Sequence, residues 1–157
     1  MPPYPCCLTL KTAIATHEMT GNELARILQK RFNRRRASNA VINGYFVQGM
    51  ITGDQYAPDT LRGQIASIFE QTVKSLFPEY LIECATLQCI RQEKKLSQPE
   101  LAEMINKRAL RTLRSADISA YECGHRYCHP DTRQAIAGVL KMDEAIIFPE
   151  YQAFVLQ

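Results

Sequence analysis

The chain carries one run of residues twice. Met19-Thr20-Gly21-Asn22-Glu23-Leu24-Ala25 lines up with Leu96-Ser97-Gln98-Pro99-Glu100-Leu101-Ala102, and Lys30-Arg31 falls opposite Lys107-Arg108. Further along, Pro58-Asp59-Thr60 answers Pro130-Asp131-Thr132, Ile65-Ala66 answers Ile136-Ala137, and Phe77-Pro78-Glu79-Tyr80 returns as Phe148-Pro149-Glu150-Tyr151. A period of roughly 70-odd residues is domain-sized, too long for a solenoid unit. The 157 residues are therefore expected to hold two small domains, 1–80 and 81–157, each near the lower size limit for an independent core. A small module used twice suits a target that is itself repetitive, and duplex DNA is the leading candidate.

Local patterns predict helices throughout. Thr20-x-x-Glu23 and Ser97-x-x-Glu100 have the capping-box form. Apolar residues follow at helical spacing, Leu24, Ile27 and Leu28 in the first copy and Leu101, Met104 and Ile105 in the second. Leu8 to His17 and Tyr80 to Lys94 read as the preceding helices. A third helix is expected over Ser38 to Gln48 and Ser115 to Cys123. The pairs Ile42 with Tyr45 and Ile118 with Tyr121 would pin it to the core, and Gly49 and Gly124 would end it. A fourth would start at Asp59 and Asp131 as N-caps, burying Leu61, Ile65, Ile68 and Phe69, or Ile136, Val139 and Leu140. A last short helix would use Val73, Leu76 and Phe77, or Ala145, Ile146 and Phe148. No segment alternates with period two. The expected class is all-α, about five helices per copy.

Charge is unevenly placed. The net charge is only +3, yet nine of the nineteen basic residues fall in two windows without acids. These are Lys30, Arg31, Arg34, Arg35 and Arg36, and Lys107, Arg108, Arg111 and Arg114. The rest of the chain is acidic on balance, with ten basic residues against sixteen acidic ones. Positive charge concentrated at one repeated location is the footprint of a phosphate-binding surface. Solvated basic helix ends are the plainer alternative.

Other chemistry has less support. No apolar run approaches a membrane span, and the N-terminal residues lack the order of a secretory signal. Six cysteines in such a chain read as thiols in a reducing compartment, so a cytoplasmic protein is expected. His17, His125 and His129 have no repeated carboxylate or hydroxyl partners, and no glycine loop is built to cradle phosphate. The cluster Cys123-Gly124-His125-Arg126-Tyr127-Cys128-His129 could bind zinc or sense oxidants through Cys123 or Cys128. It has no counterpart in the first copy, and a polar loop beside the third helix is the better reading. Neither a metal, a cofactor nor catalysis is expected.

Ile90-Arg91-Gln92-Glu93-Lys94-Lys95-Leu96-Ser97-Gln98-Pro99-Glu100-Leu101-Ala102 resembles the opening of Cro and lambda-repressor-type helix-turn-helix domains, the xenobiotic-response-element family. Asp117-Ile118-Ser119-Ala120-Tyr121-Glu122-Cys123-Gly124 resembles the end of their recognition helix. The resemblance covers most of residues 81–151, and the first copy looks like a diverged version with Phe46 where Glu122 stands. Both copies depart from the family in the basic stretch between the second and third helices, which is longer than the usual tight turn.

The resemblance implies two tandem five-helix lambda-repressor-like domains in a bacterial or phage transcriptional regulator. The third helix would enter the major groove while the start of the second meets the backbone. Thr20, Ser97 and Gln98 would then approach phosphate at helix N-termini. Lys30, Arg31, Arg34, Arg35, Arg36, Lys107, Arg108, Arg111 and Arg126 would hold phosphates without specifying sequence. Ser115, Ala116, Asp117, Ser119 and Ala120, with Arg114 alongside, would face base edges. In the first copy Ser38, Asn39, Ala40, Asn43 and Gly44 would do so. Two unequal readers on one chain would suit an imperfectly symmetric site, and a homodimer would present four. The rival reading is a protein-interaction module, antitoxin-like or an adaptor, on the same fold.

Overall fold

The computed structural model describes residues 4–34, 41–109 and 112–152, with the backbone alone at Arg34. These residues form an all-α protein of eleven α-helices and one 3-10 turn, with no strand among them. The chain divides into two compact units, Met1–Glu79 and Tyr80–Gln157. No helix among the described residues is long and apolar enough to cross a membrane.

The first unit contains α1 (Leu8–Thr16), α2 (Gly21–Arg34), α3 (Gly44–Thr52), α4 (Asp59–Ile68) and α5 (Val73–Leu76), followed by a 3-10 turn at Pro78–Tyr80. Leu24, Ala25 and Leu28 of α2 are buried with Leu10 of α1, Val47 and Met50 of α3, and Ile65 of α4. The second unit contains α6 (Ala85–Glu93), α7 (Gln98–Ala109), α8 (Ser115–Glu122), α9 (Pro130–Leu140), α10 (Glu144–Ile147) and α11 (Pro149–Gln152). Its core gathers Leu87, Leu101, Ile105, Ile118, Ile136 and Phe148. Arg133 is buried here too, donating to Glu144 at 2.8 Å and the Cys128 carbonyl at 2.7 Å.

The same local devices serve both units. Thr20 Oγ1 accepts the Glu23 N–H at 3.2 Å, and Ser97 Oγ accepts the Glu100 N–H at 3.3 Å. Each carboxylate reaches back to the N–H of its hydroxyl residue at 2.7 Å, so both capping boxes close. Hydrogen bonds from Thr20 hold the Glu23 carboxyl below its ordinary value, and those from Ser97 do the same for Glu100. Neither Cys7 nor Cys84 offers a capping side chain to the helix it precedes. Glu79 instead takes the N–H and hydroxyl of Thr9, at 3.2 and 3.1 Å, and Glu150 takes those of Thr86, at 3.1 and 2.8 Å. A carboxylate at a helix N-terminus satisfies free N–H groups and complements the dipole. That is the structural meaning of the repeated Phe-Pro-Glu-Tyr.

Several expectations are corrected. The third helix of the first unit is Gly44–Thr52; Ser38, where it was expected to begin, lies outside the described residues. Residues 41–43 are not helical, and Asn43 caps the helix by accepting the Phe46 N–H at 2.9 Å. Gly49 lies buried inside this helix, and Gly53, at φ +82°, ends it. Gly124, at φ +68°, is its counterpart after α8. Tyr45 is 89% exposed and holds nothing in the core; Val47 and Met50 take that role. The N–H of Cys7 donates to the Met50 carbonyl as that of Cys84 donates to Tyr121. Met50 thus matches Tyr121, Phe46 matches Asp117, and Ile51 stands at the position of Glu122. Asp59 and Asp131 are inside the first turns of α4 and α9, whose caps are Pro58 and His129. Ile146 is 57% exposed, and Ile147 fills the core in its place.

Candidate nucleic-acid interface

In each unit the chain that leads into the third helix is tied to the second. Gln29 Oε1 accepts the Ile42 N–H at 2.6 Å, and Asn106 Oδ1 accepts the Leu113 N–H at 2.7 Å while its amide donates to the Leu113 carbonyl at 2.8 Å. The basic ends of α2 and α7 are thereby placed close to the first turns of α3 and α8.

The second unit fixes α8 through a buried polar network. Glu122 accepts Arg91 Nε at 2.6 Å and Nη2 at 3.0 Å, and Gln98 Nε2 at 2.8 Å. Arg91 also donates to the Leu96 carbonyl at 2.7 Å. The bond to Glu122 holds the guanidinium above its ordinary pKa against the effect of burial. One carboxylate joins α6, α7 and α8. At the matching positions the first unit has Ile14, Gly21 and Ile51, with both isoleucines buried.

This arrangement sorts the expected site residues. Thr20, Ser97, Lys30, Lys107, Arg108, Arg114 and Ser115 are exposed, and Arg31 and Ser119 are half-buried. Lys107 pairs with Glu103 at 2.7 Å on the helix surface. Arg108 lies near Gly138 of α9, where a β-carbon would stand 3.7 Å from its guanidinium. Gln98 is committed to Glu122. Asp117 is buried, a correction to its place at base edges: its carboxylate accepts the Arg114 N–H at 2.8 Å and pairs with Arg126. Burial opposes that negative charge. The Arg114 N–H and the guanidiniums of Arg126 and Arg114 outweigh it and hold the carboxyl below the ordinary aspartate value. Arg126 is thus partly engaged within its own unit. Asn43 is exposed but spends its side-chain oxygen on the cap. Arg35, Arg36, Ser38, Asn39 and Arg111 lie outside the described residues, as does the side chain of Arg34.

Residues that the sequence reading passed over stand beside these. An open groove of about 710 Å³ runs between α2 and the start of α3, lined by Asn22, Arg26, Gln29, Lys30, Asn33 and Asn43 among others. No carboxylate lines it. Its α2 wall was legible as a polar stripe, since Asn22, Arg26, Lys30 and Asn33 recur at helical spacing. Tyr45 and Gln48 project from α3 into solvent.

No group of three or more His, Cys, Asp or Glu side chains among the described residues is arranged to hold an ion. Cys123 is exposed and Cys128 buried. Burial pushes the thiol of Cys84, close to Tyr151, up to about 12.

Comparison of the chain with family models, with curated proteins and with solved structures gives no match.

Proposed function

We propose that this protein is a sequence-specific double-stranded-DNA-binding transcriptional regulator, built from two lambda-repressor-like helix-turn-helix units and working without catalytic chemistry in the cytoplasm. The observation that carries the reading is the twofold placement of basic side chains near the first turn of a short helix whose outer face is open. In the first unit these are Arg26 and Lys30, which line the groove at the start of α3; in the second they are Arg114, the cap residue of α8, and Lys107 in the last turn of α7, next to the Asn106 that holds the lead into α8. Cations in that position meet phosphates flanking a groove, and the open helix face meets base edges. The Arg91–Glu122–Gln98 network supports the reading because a recognition helix must be held rigidly by its neighbours. Two units on one chain raise each other's local concentration on DNA.

The test is the affinity of the full chain for a fluorescent duplex of random sequence, measured across salt concentrations. Binding should weaken with salt, with a log–log slope of about −0.9 per neutralised phosphate. Lys30→Ala, Lys107→Ala and Arg114→Ala together should reduce the slope by about 1 per lost contact, equally on all sequences. Absence of duplex binding at low salt, or an unchanged slope in the triple variant, would refute the proposal and leave the interaction-module reading.

A further inference from the structure

The outward ridge of α3 is formed by Tyr45, Gln48 and Thr52, all exposed and spaced at i, i+3 and i+7, while Val47, Met50 and Ile51 face inward. Tyr45 is the second residue of the helix and the most exposed large hydrophobic side chain among the described residues. The Gln48 carboxamide makes no hydrogen bond among them, leaving its donor and its acceptor open. The ridge begins beside the groove that Arg26 and Lys30 line and from which carboxylates are absent. An apolar ring and a free amide on a ridge bordered by cations match base edges bordered by phosphates. At the positions matching Tyr45 and Gln48, α8 carries Ala116 and Ser119, whose side chains are much shorter.

We infer that Tyr45 and Gln48 are the specificity-determining pair of the first unit, and that they select adjacent adenine–thymine base pairs. The inference rests on the DNA-binding reading above and assigns its base chemistry. A glutamine carboxamide pairs bidentately with N6 and N7 of adenine, and an apolar side chain packs on the thymine methyl group. Three residues of helix rise about 4.5 Å, close to the roughly 3.4 Å between neighbouring bases on one strand. The two side chains therefore reach successive base pairs. The long-armed readers belong to the first unit, although the second carries the closer sequence resemblance to known DNA-binding domains.

The full chain is used to select its preferred sites from a random duplex library, and affinities are then measured for every single base-pair change. Gln48→Ala should flatten the preference for adenine at one position, a loss of about 5- to 150-fold in discrimination. Replacing thymine by uracil at the neighbouring pair removes only the methyl group. It should weaken the unaltered protein and leave Tyr45→Ala unaffected. The thermal melt should not change in either variant, because both side chains are exposed, and the salt slope should stay the same, because neither side chain carries a charge. Site selection by the unaltered protein, with an unchanged preference at every position in both variants, overturns this inference alone. Salt-sensitive binding without any preferred site overturns it together with sequence specificity, and failure to bind duplex at all removes the underlying reading as well.

Discussion

Glu122→Ile should destabilise the second unit severely, whereas the same change made together with Arg91→Ile and Gln98→Gly should not. The single substitution leaves a guanidinium that is only 9% exposed without its carboxylate, in a site from which that carboxylate was almost fully shielded. Removing one partner of a buried ion pair typically costs about 3–5 kcal/mol, a large part of an ordinary domain's stability. The triple variant reproduces the set the first unit already uses, Ile14, Gly21 and Ile51. It strands no charge, and exchange of a whole buried network for apolar side chains is often neutral or stabilising by about 1–4 kcal/mol. The Leu96 carbonyl loses its bond to Arg91, but Leu96 is only half-buried and water can reach it. Coupling among the three sites should therefore be at least about 3 kcal/mol. Urea denaturation followed by far-ultraviolet circular dichroism gives the energies, and hydrogen exchange at amides of α6 to α8 assigns them to the second unit. If the triple variant cost the sum of the single changes, the network would not be a closed, exchangeable set and the comparison between units would be wrong.

Three further outcomes are expected. Gly124→Ala should cost at least about 1–2 kcal/mol in thermal denaturation, because φ is +68° and a β-carbon would meet the Glu83 nitrogen at 2.9 Å; Gly63→Ala, with nothing within 4 Å, should gain about 0.5–1 kcal/mol. Asp117 has a native pKa below its unfolded one, so its stabilisation is present above about pH 4 and is lost as pH falls through the lower native value; Asp117→Asn should show a shallower acid-induced loss of stability than the unaltered chain. Native alkylation at mildly alkaline pH, read by mass spectrometry, should label Cys89 and Cys123 first and spare Cys7, Cys84 and Cys128 until the chain unfolds, whereas early labelling of Cys84 would contradict its buried, raised thiol.

The sequence made the helical class and the two capping boxes legible because these are local. Thr20 with Glu23, and Ser97 with Glu100, need only three residues to declare a helix start. The third helix of the first unit was misplaced because a length change lies just ahead of it. Equivalent residues are 77 positions apart before the basic stretch, as Cys7 and Cys84 show, and 71 apart after it, as Met50 and Tyr121 show. Pairing Tyr45 with Tyr121 followed residue identity across that change and sent an exposed ring into the core. Asn43 was expected at base edges inside the third helix; its role as a cap is carried by the bond it accepts from the Phe46 N–H, with Gln29 holding Ile42 just ahead of it. The role of Asp117 was hidden for a similar reason: its partner Arg126 lies beyond the helix, and spacing alone does not show a carboxylate turned inward. The Arg91–Glu122–Gln98 network also vanishes from the repeat pattern, because the first unit exchanges all three members together.

The clasps at Glu79 and Glu150 bear on how the protein is made. Thr9 waits for a residue 70 positions later, and Thr86 for one 64 positions later. On the ribosome, α1 and α6 therefore emerge without the carboxylate that completes their first turns, and each unit can close only when nearly all of it has been synthesised. The first unit can be finished while the second is still being translated, since its clasp lies within its own boundary. A nascent chain that ends before Glu150 would carry one latched unit and one open one.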